Sequence, residues 1–166
     1  MAVDLDELGA CLAADSRAAR RHAAEALGRL ALAGRDVEPY ADRLDRLLAD
    51  TEILDAGVRL SVDPDSEGWF QPRVVAFAAA ALVVTGSVNR PETIRSAVRA
   101  YERLHPEFDA ETRTIEAVRE VGWALASVVI YTDGYVDVLV GLTERDDDLV
   151  RRVGASALSD VAEEYA

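Results

Sequence analysis

The sequence predicts an all-α protein built as a solenoid, in which helical hairpins stack one after another. The main observation is a helical phrase that occurs four times and always closes on Ala-Leu, with the leucines at Leu27, Leu82, Leu125 and Leu158. Their spacings of 55, 43 and 33 residues are irregular but similar, and the two shorter ones suit a two-helix repeat. Strand-like alternation occurs only at residues 58–62, which we discount.

Length and composition fit a single domain spanning residues 1–166. A chain of 166 residues can bury one continuous core, and 50% hydrophobic with 30% charged residues argues against disorder. Aromatic residues make up only 6% of the chain, while alanine, leucine and valine abound. This balance favours closely packed helices with small residues at their contacts.

The charge is strongly acidic, and all 18 basic residues are arginine, which gives a net charge of −13. An acid excess without lysine resembles the proteins of salt-loving archaea, because carboxylates stay hydrated and molar salt screens their repulsion. The alternative is a high-GC genome that encodes arginine in place of lysine in an ordinary acidic protein. We favour the halophilic interpretation.

In the first half of the chain, the apolar spacing predicts four helices, near residues 3–12, 16–33, 37–53 and 72–85. Asp15 or Ser16 caps the second helix, and Gly34 ends it. Pro39 lies in the first turn of the third helix, where a proline is tolerated. Residues 57–71 break the periodicity and contain an Asp-Pro-Asp turn, so they form an insertion that explains the long first interval.

In the second half, four more helices are predicted. The fifth begins at Pro91 and ends before Pro106, and the sixth covers residues 110–131. Asp133 and Gly134 turn the chain into the seventh helix, and the acidic run 146–148 precedes the eighth. Eight helices pair into four antiparallel hairpins.

Alignment of the four phrases on Ala-Leu reveals a second regularity. Arginine stands six residues before the leucine in three of them, at Arg21, Arg119 and Arg152. In the first and last phrases an aspartate lies six residues further back, at Asp15 and Asp146. This pattern resembles HEAT repeats, whose aspartate and arginine form a hydrogen-bonded ladder along the stack. The resemblance implies that Asp15, Arg21, Asp146 and Arg152 are scaffold residues and that the ladder is broken in the middle.

A HEAT-like fold implies a non-catalytic adaptor that binds a protein partner along the surface of its second helices. Trp123 lies two residues before its leucine, at a position that we expect to face this surface, although a tryptophan in the core is the commoner case. We expect Trp123 to anchor the partner, and Arg20, Arg29 and Arg119 to orient it.

The insertion and the fourth helix offer further candidates. Trp69 and Phe70 end the insertion, where they either fold back over the fourth helix or anchor a partner. The segment 72–86 is apolar on all sides, so the helix is covered either by the insertion and its neighbours or by a second copy in a homodimer.

Catalytic and cofactor-binding patterns are not found, so we predict no enzymatic activity. His22 and His105 are the only histidines and are far apart in sequence, and the chain contains neither a glycine-rich phosphate loop nor a nucleophile elbow. The single Cys11 excludes an intrachain disulfide and a zinc site built on several thiolates.

The acidic insertion resembles the start of an EF-hand calcium loop, with Asp63, Asp65 and Glu67 at alternate positions. The glutamate that such a loop needs at its twelfth position is replaced by Val74. We therefore predict a solvated acidic turn without a metal ion.

Charge and hydropathy exclude two classes of partner. Phosphate binding needs a concentrated basic face, which the net charge of −13 argues against. The longest apolar run, residues 74–84, is too short to span a bilayer, and the acidic beginning of the chain does not resemble a signal peptide, so we expect a cytoplasmic protein.

Two alternative functions follow from the same resemblance. Related repeats occur in phycobilisome lyases, which handle a tetrapyrrole, and this would require an apolar cleft with a polar tether. HEAT-fold DNA glycosylases form the other alternative, which the acidic charge disfavours because it requires a basic cleft.

Overall fold

The structure, a computed structural model, describes residues 4–48 and 90–166. Over these two ranges the chain is all-helical, with seven α-helices, one short 3-10 helix and no strand. The prediction of an all-α protein is therefore confirmed. The predicted insertion 57–71 and the predicted fourth helix 72–86 lie outside the described residues, together with Trp69 and Phe70.

The helices follow the order that the apolar spacing predicts. They are α1 (Leu5–Cys11), α2 (Arg17–Leu32), α3 (Ala41–Leu48), α4 (Pro91–Leu104), α5 (Ala110–Thr132), α6 (Val136–Thr143) and α7 (Asp148–Glu164). The 3-10 helix Glu38–Tyr40 leads directly into α3, so the predicted third helix begins with a tighter turn that contains Pro39.

Local sequence determines both ends of α2. Ser16 caps its beginning, since its hydroxyl accepts a hydrogen bond from a backbone N–H of the first turn. At the other end, Gly34 adopts a φ of +78°, a conformation that glycine reaches without a steric penalty. The N–H of Gly34 donates to the Ala31 carbonyl and that of Arg35 to the Leu30 carbonyl, both at 2.9 Å. This pair of bonds is a Schellman motif, which satisfies carbonyls left open at the end of the helix.

Aspartates begin the two long helices of the second range. Asp109 accepts a hydrogen bond at 3.0 Å from the N–H of Thr112 at the start of α5. Asp147 accepts one at 3.1 Å from Val150 at the start of α7, so the middle residue of the acidic run is the cap. Both carboxylates also lie at the positive ends of their helix dipoles.

The helices pack as hairpins around one core. The pairs α1–α2, α4–α5 and α6–α7 are packed against each other, and the two later hairpins meet mainly through α5 and α7. Toward the other end, α3 contacts α2 and α4. The core is continuous through both described ranges, and its largest fully buried side chains include Leu27, Leu44, Ile94, Leu125, Leu139 and Leu142.

Two glycines set how closely α7 approaches its neighbours, Gly122 at the contact with α5 and Gly154 at the contact with α6. A β-carbon at Gly122 of α5 would lie 2.9 Å from the Cβ and Oγ of Ser156 in α7. A β-carbon at Gly154 of α7 would lie 2.8 Å from the Cβ of Leu142 and 3.1 Å from the N–H nitrogen of Thr143, both in α6. Because α7 meets its neighbours where a β-carbon is missing, the helices reach a separation that larger residues would prevent.

Candidate functional site

The exposed face of α5 carries the strongest candidate, Trp123. Its side chain is 45% exposed, and Ile115, two turns earlier on the same helix, is 42% exposed. Arg119 lies between them, so the three residues follow one another at a spacing of four along α5. We call these three residues the α5 surface.

The rest of α5 explains why this face is exposed. Ala117, Val121, Ala124 and Val128 are buried and form the face that packs on the core. Trp123 falls next to Gly122, the residue at which α5 comes closest to α7. The tryptophan is thereby directed away from the contact between the two helices.

Charged groups surround the α5 surface. Arg119 donates to both carboxylate oxygens of Glu116, at 3.2 and 3.3 Å, and its side chain stays largely exposed. Burial raises the pKa of the Glu120 carboxyl, and the neighbouring Glu116 adds to the increase. Burial and the charge of Glu163 raise the pKa of Asp160 on α7, while the charge of Arg119 acts in the opposite direction.

One edge of this face is formed by the end of α4. Thr114 of α5 donates to the Glu102 carboxylate at 2.5 Å, which joins the two helices of the hairpin. His105 follows α4, stacks on Phe108 with ring centroids 5.5 Å apart, and lies 3.4 Å from a carboxylate oxygen of Glu107. Burial raises the pKa of Tyr101 well above its usual value. The bond between Thr114 and Glu102 connects α4 to α5 at this edge.

The predicted arginines of α2 lie elsewhere. Arg20 donates from Nη1 to the carbonyls of Ala14 and Asp15, at 3.0 and 2.9 Å, and Arg29 pairs with Glu25 at 2.6 Å. Because α2 packs against α1 and α3, whereas α5 packs against α4 and α7, these two arginines and Trp123 belong to different helix pairs.

A contact of the same kind recurs at α7. Arg151 donates from Nη1 to the carbonyls of Arg145 and Asp146, both at 2.9 Å. Arg20 and Arg151 each stand four residues after the cap of their helix and bind the carbonyls five and six residues earlier. We call this arrangement the arginine–carbonyl clamp.

The clamp involves neighbours of the predicted ladder residues. Among the described residues, neither Arg21 nor Arg152 makes a side-chain hydrogen bond or salt bridge, and Asp15 and Asp146 take part through their backbone carbonyls. Acid–arginine pairs between different hairpins are formed by other residues: Arg95 of α4 pairs with Asp147, the cap of α7, and Arg90, the residue before α4, pairs with Asp42 of α3 at 2.6 Å. Backbone hydrogen bonding from Val150, followed by the contact with Arg95, lowers the pKa of Asp147.

Sequence reasoning missed a second exposed apolar region. Tyr135, Val136, Val140 and Tyr165 are all exposed around α6 and the end of α7. A signal was available, because residues 136–142 contain more apolar residues than one buried stripe of a two-turn helix can accommodate.

The described ranges offer neither a metal-binding cluster nor a membrane-spanning helix. Residues 4–48 and 90–166 contain no group of three histidine, cysteine or acidic side chains that could hold a metal ion. In the same part of the chain, no helix has both the length and the apolar character needed to cross a bilayer. The acidic residues 63–67 and the aromatic pair at 69–70 lie outside it.

Comparison of the chain with protein-family models, curated proteins and solved structures finds no match. The resemblance to HEAT repeats therefore stays a prediction from the sequence.

Proposed function

We propose that this chain is a non-catalytic protein-interaction scaffold, a HEAT-like α-solenoid that binds a protein partner on the α5 surface. The observation that carries the proposal is the exposure of Trp123 and Ile115 on one face of α5. Large apolar side chains exposed on one face are typical of binding surfaces, and tryptophan is enriched among the residues that dominate binding energy.

The spacing of these residues suits a partner segment that lies along α5. Ile115 and Trp123 are separated by eight residues, which corresponds to about 12 Å along a helix. Arg119, which lies between them, offers a guanidinium that can donate to a partner carboxylate in place of Glu116. In this arrangement the two apolar residues supply affinity and the arginine supplies orientation.

The packing behind α5 supports a preformed surface. Gly122 brings α5 close to Ser156 of α7, and the first half of the helix is joined to α4 through Thr114 and Glu102. A helix held by two neighbours loses little conformational entropy when a partner binds. Stacked hairpins joined through their second helices are also the arrangement that a solenoid requires.

The charge of the chain favours protein over nucleic acid as the partner. A net charge of −13 repels phosphate groups, and the arginines of the α5 region are accompanied by Glu116, Glu120 and Asp160.

The proposal is tested by affinity capture from a cell extract at molar salt, with the wild-type chain and three variants as bait. Trp123→Ala and Ile115→Ala remove the two apolar residues of the α5 surface. Arg99→Ala, an exposed substitution on α4, is the matched control. We expect a stoichiometric partner that binds the wild type and Arg99→Ala, and at least about tenfold weaker binding by Trp123→Ala, because a hot-spot residue contributes about 2 kcal/mol or more.

Circular dichroism and thermal unfolding show whether each bait is folded. Trp123 is partly exposed, and its backbone carbonyl accepts a hydrogen bond from the Ser127 hydroxyl, which the alanine variant keeps. Equal capture by Trp123→Ala and the wild type would contradict the proposed surface. Unfolding of Trp123→Ala would assign the tryptophan to the core instead.

A further inference from the structure

The outer side of α6 forms a second apolar surface, distinct from the one on α5. Val136 is 44% and Val140 is 40% exposed, one helical turn apart, whereas Leu139 and Leu142 of the same helix are fully buried. Apolar residues therefore occupy both sides of α6, and only one side is covered by the described part of the chain.

Two tyrosines extend this region beyond the helix. Tyr165 is 57% exposed, and its hydroxyl donates to the Asp133 carboxylate at 3.1 Å. This bond places the end of α7 beside the turn that precedes α6, where Tyr135 is also exposed. Tyr135, Val136, Val140 and Tyr165 together are called the α6 surface.

The backbone of the turn is held in an unusual conformation. Asp133 and Tyr135 have φ angles of 52° and 65°, in the left-handed region that residues other than glycine seldom adopt. An aromatic residue in this region is uncommon, and the hydrogen bond from Tyr165 to Asp133 joins this turn to α7. Strained positions of this type concentrate where proteins contact ligands.

The two chain segments that carry the α6 surface are acidic. Segments 133–144 and 159–166 contain six acidic residues and no lysine or arginine, and Arg145 follows the first of them. The six are Asp133, Asp137, Glu144, Asp160, Glu163 and Glu164, of which Asp160 also interacts with Arg119 of α5. The hydrogen bond to Asp133, with the negative charges of Asp133 and Glu164, raises the pKa of Tyr165, so both carboxylates lie close to its hydroxyl.

We propose that the α6 surface binds an amphipathic helix of a partner protein, whose apolar stripe is flanked by arginine or lysine. Val136 and Val140 form a ridge at the i, i+4 spacing that packs into the grooves of another helix. The acidic rim pairs with basic residues at the edges of the contact. This site is additional to the proposed function, which concerns α5.

The acidic residues around the α6 surface also argue against other binding partners. A second copy of the chain related by two-fold symmetry would place the same acidic rim against itself, and like charges opposed across an interface are unfavourable. Nucleic acids and anionic membranes are repelled by the same carboxylates. A basic amphipathic helix satisfies both the apolar centre and the acidic rim.

The probe for this proposal is a synthetic amphipathic peptide of about five helical turns, with leucine on one face and arginine on the other. A second peptide carries glutamate at every arginine position. Each is titrated into the isotopically labelled chain at moderate and at molar salt, and amide chemical shifts are recorded. We expect saturable binding of the basic peptide only, with the largest shifts in residues 133–144, and weaker binding at molar salt.

Variants distinguish contact at the α6 surface from general attraction to an acidic protein. Val140→Ser and Tyr165→Ala should each weaken binding of the basic peptide by about tenfold, because they remove apolar contact and leave the acidic rim intact. Ile115→Ser, the matched exposed change on α5, should leave it unchanged. Val140 and Tyr165 are exposed, so both variants should fold, which circular dichroism verifies.

Three results would overturn the proposal. One is equal binding of the basic peptide by Val140→Ser, Tyr165→Ala and the wild type. Another is equal binding of the acidic peptide, and the third is the absence of saturable binding up to about 1 mM peptide. Loss of binding by Ile115→Ser alone would move the peptide site to α5, which leaves the proposed function standing and removes this inference.

Discussion

Helices α1 and α6 are each the first helix of a hairpin, but the exposed side of α1 is polar and that of α6 is apolar. The outer side of α1 is polar, with Asp6 and Glu7 exposed, and it is also contacted by other parts of the chain. Tyr40 donates to the Asp6 carboxylate at 2.6 Å, and Arg43 donates to the Gly9 carbonyl at 2.6 Å. On the outer side of α6, the exposed residues Val136 and Val140 are apolar.

The second helices of the same two hairpins are alike. Arg20 in α2 and Arg151 in α7 form the same arginine–carbonyl clamp on the turn that precedes their helix. The scaffold is thus repeated while the outer faces differ. An exposed apolar face on one hairpin and a polar, internally contacted face on the other therefore favour α6 as the place for binding among the described residues.

The largest effect should come from filling the contact between α6 and α7. In Gly154→Ala the new methyl group meets Leu142 and the backbone of Thr143, which cannot move aside easily. We expect destabilisation of about 1–3 kcal/mol, measured by urea unfolding. Gly141→Ala is the control on α6, since nothing lies within 4 Å of a β-carbon there, and it should stabilise the protein by about 0.5–1 kcal/mol.

A glycine-to-alanine substitution in α1 allows the packing of α1 and α6 to be compared directly. A β-carbon at Gly9 would meet the ring of Tyr40, a side chain that can turn away once it releases Asp6. Gly9→Ala should therefore destabilise the protein less than Gly154→Ala does. The reverse order would show that α1 is held more tightly than α6.

An intermediate loss of stability is expected when the arginine of a clamp is removed. Arg151→Ala removes two hydrogen bonds to backbone carbonyls and should destabilise the protein by about 1 kcal/mol. Arg20→Ala should have a similar effect, and the two should add because they lie in separate hairpins. Thermal unfolding of the single and double variants measures both.

The control for the clamp is Arg152→Ala. This arginine is the predicted ladder residue, and its change should alter stability by no more than about 0.5 kcal/mol. If Arg152→Ala lowered the stability more than Arg151→Ala, the predicted ladder residue would be the stabilising one. The arginine–carbonyl clamp would then contribute little to the stability.

The smallest effect concerns the helix caps. Asp147 binds Arg95 in addition to capping α7, whereas Asp4 caps α1. Asp147→Asn keeps a capping side chain but loses the ion pair, so it should lower the Tm by about 1–3 °C at neutral pH. Because the folded-state pKa of Asp147 is lowered from 3.8, its contribution is present above that pH and is lost as the pH falls through the folded value.

Thermal unfolding from neutral pH down to strongly acidic solution measures this effect. The difference between Asp147→Asn and the wild type should disappear at the acidic end. Asp4→Asn is the matched control and should stay close to the wild type at neutral pH. A difference for Asp147→Asn that persists at the lowest pH would show that the ion pair with Arg95 does not supply it.

The sequence predicts those features of the fold that depend on local backbone. Capping chemistry predicts that α2 begins at Asp15 or Ser16, of which the structure has Ser16, and the left-handed conformation of glycine predicts its end at Gly34. The start of α4 at Pro91 follows from the restricted φ of proline. These residues act within a few positions of themselves, so one sequence is enough to place them.

Features that depend on the packing of distant helices could not be predicted from the sequence in the same way. Which of two adjacent arginines binds the preceding carbonyls depends on the direction in which α7 leaves its turn, and the contact falls on Arg151 rather than on Arg152. The exposure of Trp123 depends on how closely α7 approaches α5 at Gly122. The sequence predicts apolar residues on both sides of α6. Only the position of α7 decides which side is covered, and Val140 lies on the uncovered one.

The contact between Arg95 and Asp147 has a consequence for how the hairpins fold. Asp147 defines the first turn of α7, yet one of its partners comes from α4, in the preceding hairpin. The start of α7 therefore gains part of its stabilisation from its own backbone and part from the neighbouring hairpin. A contact of this kind couples the unfolding of adjacent hairpins, and here a single side chain from α4 contributes to that coupling.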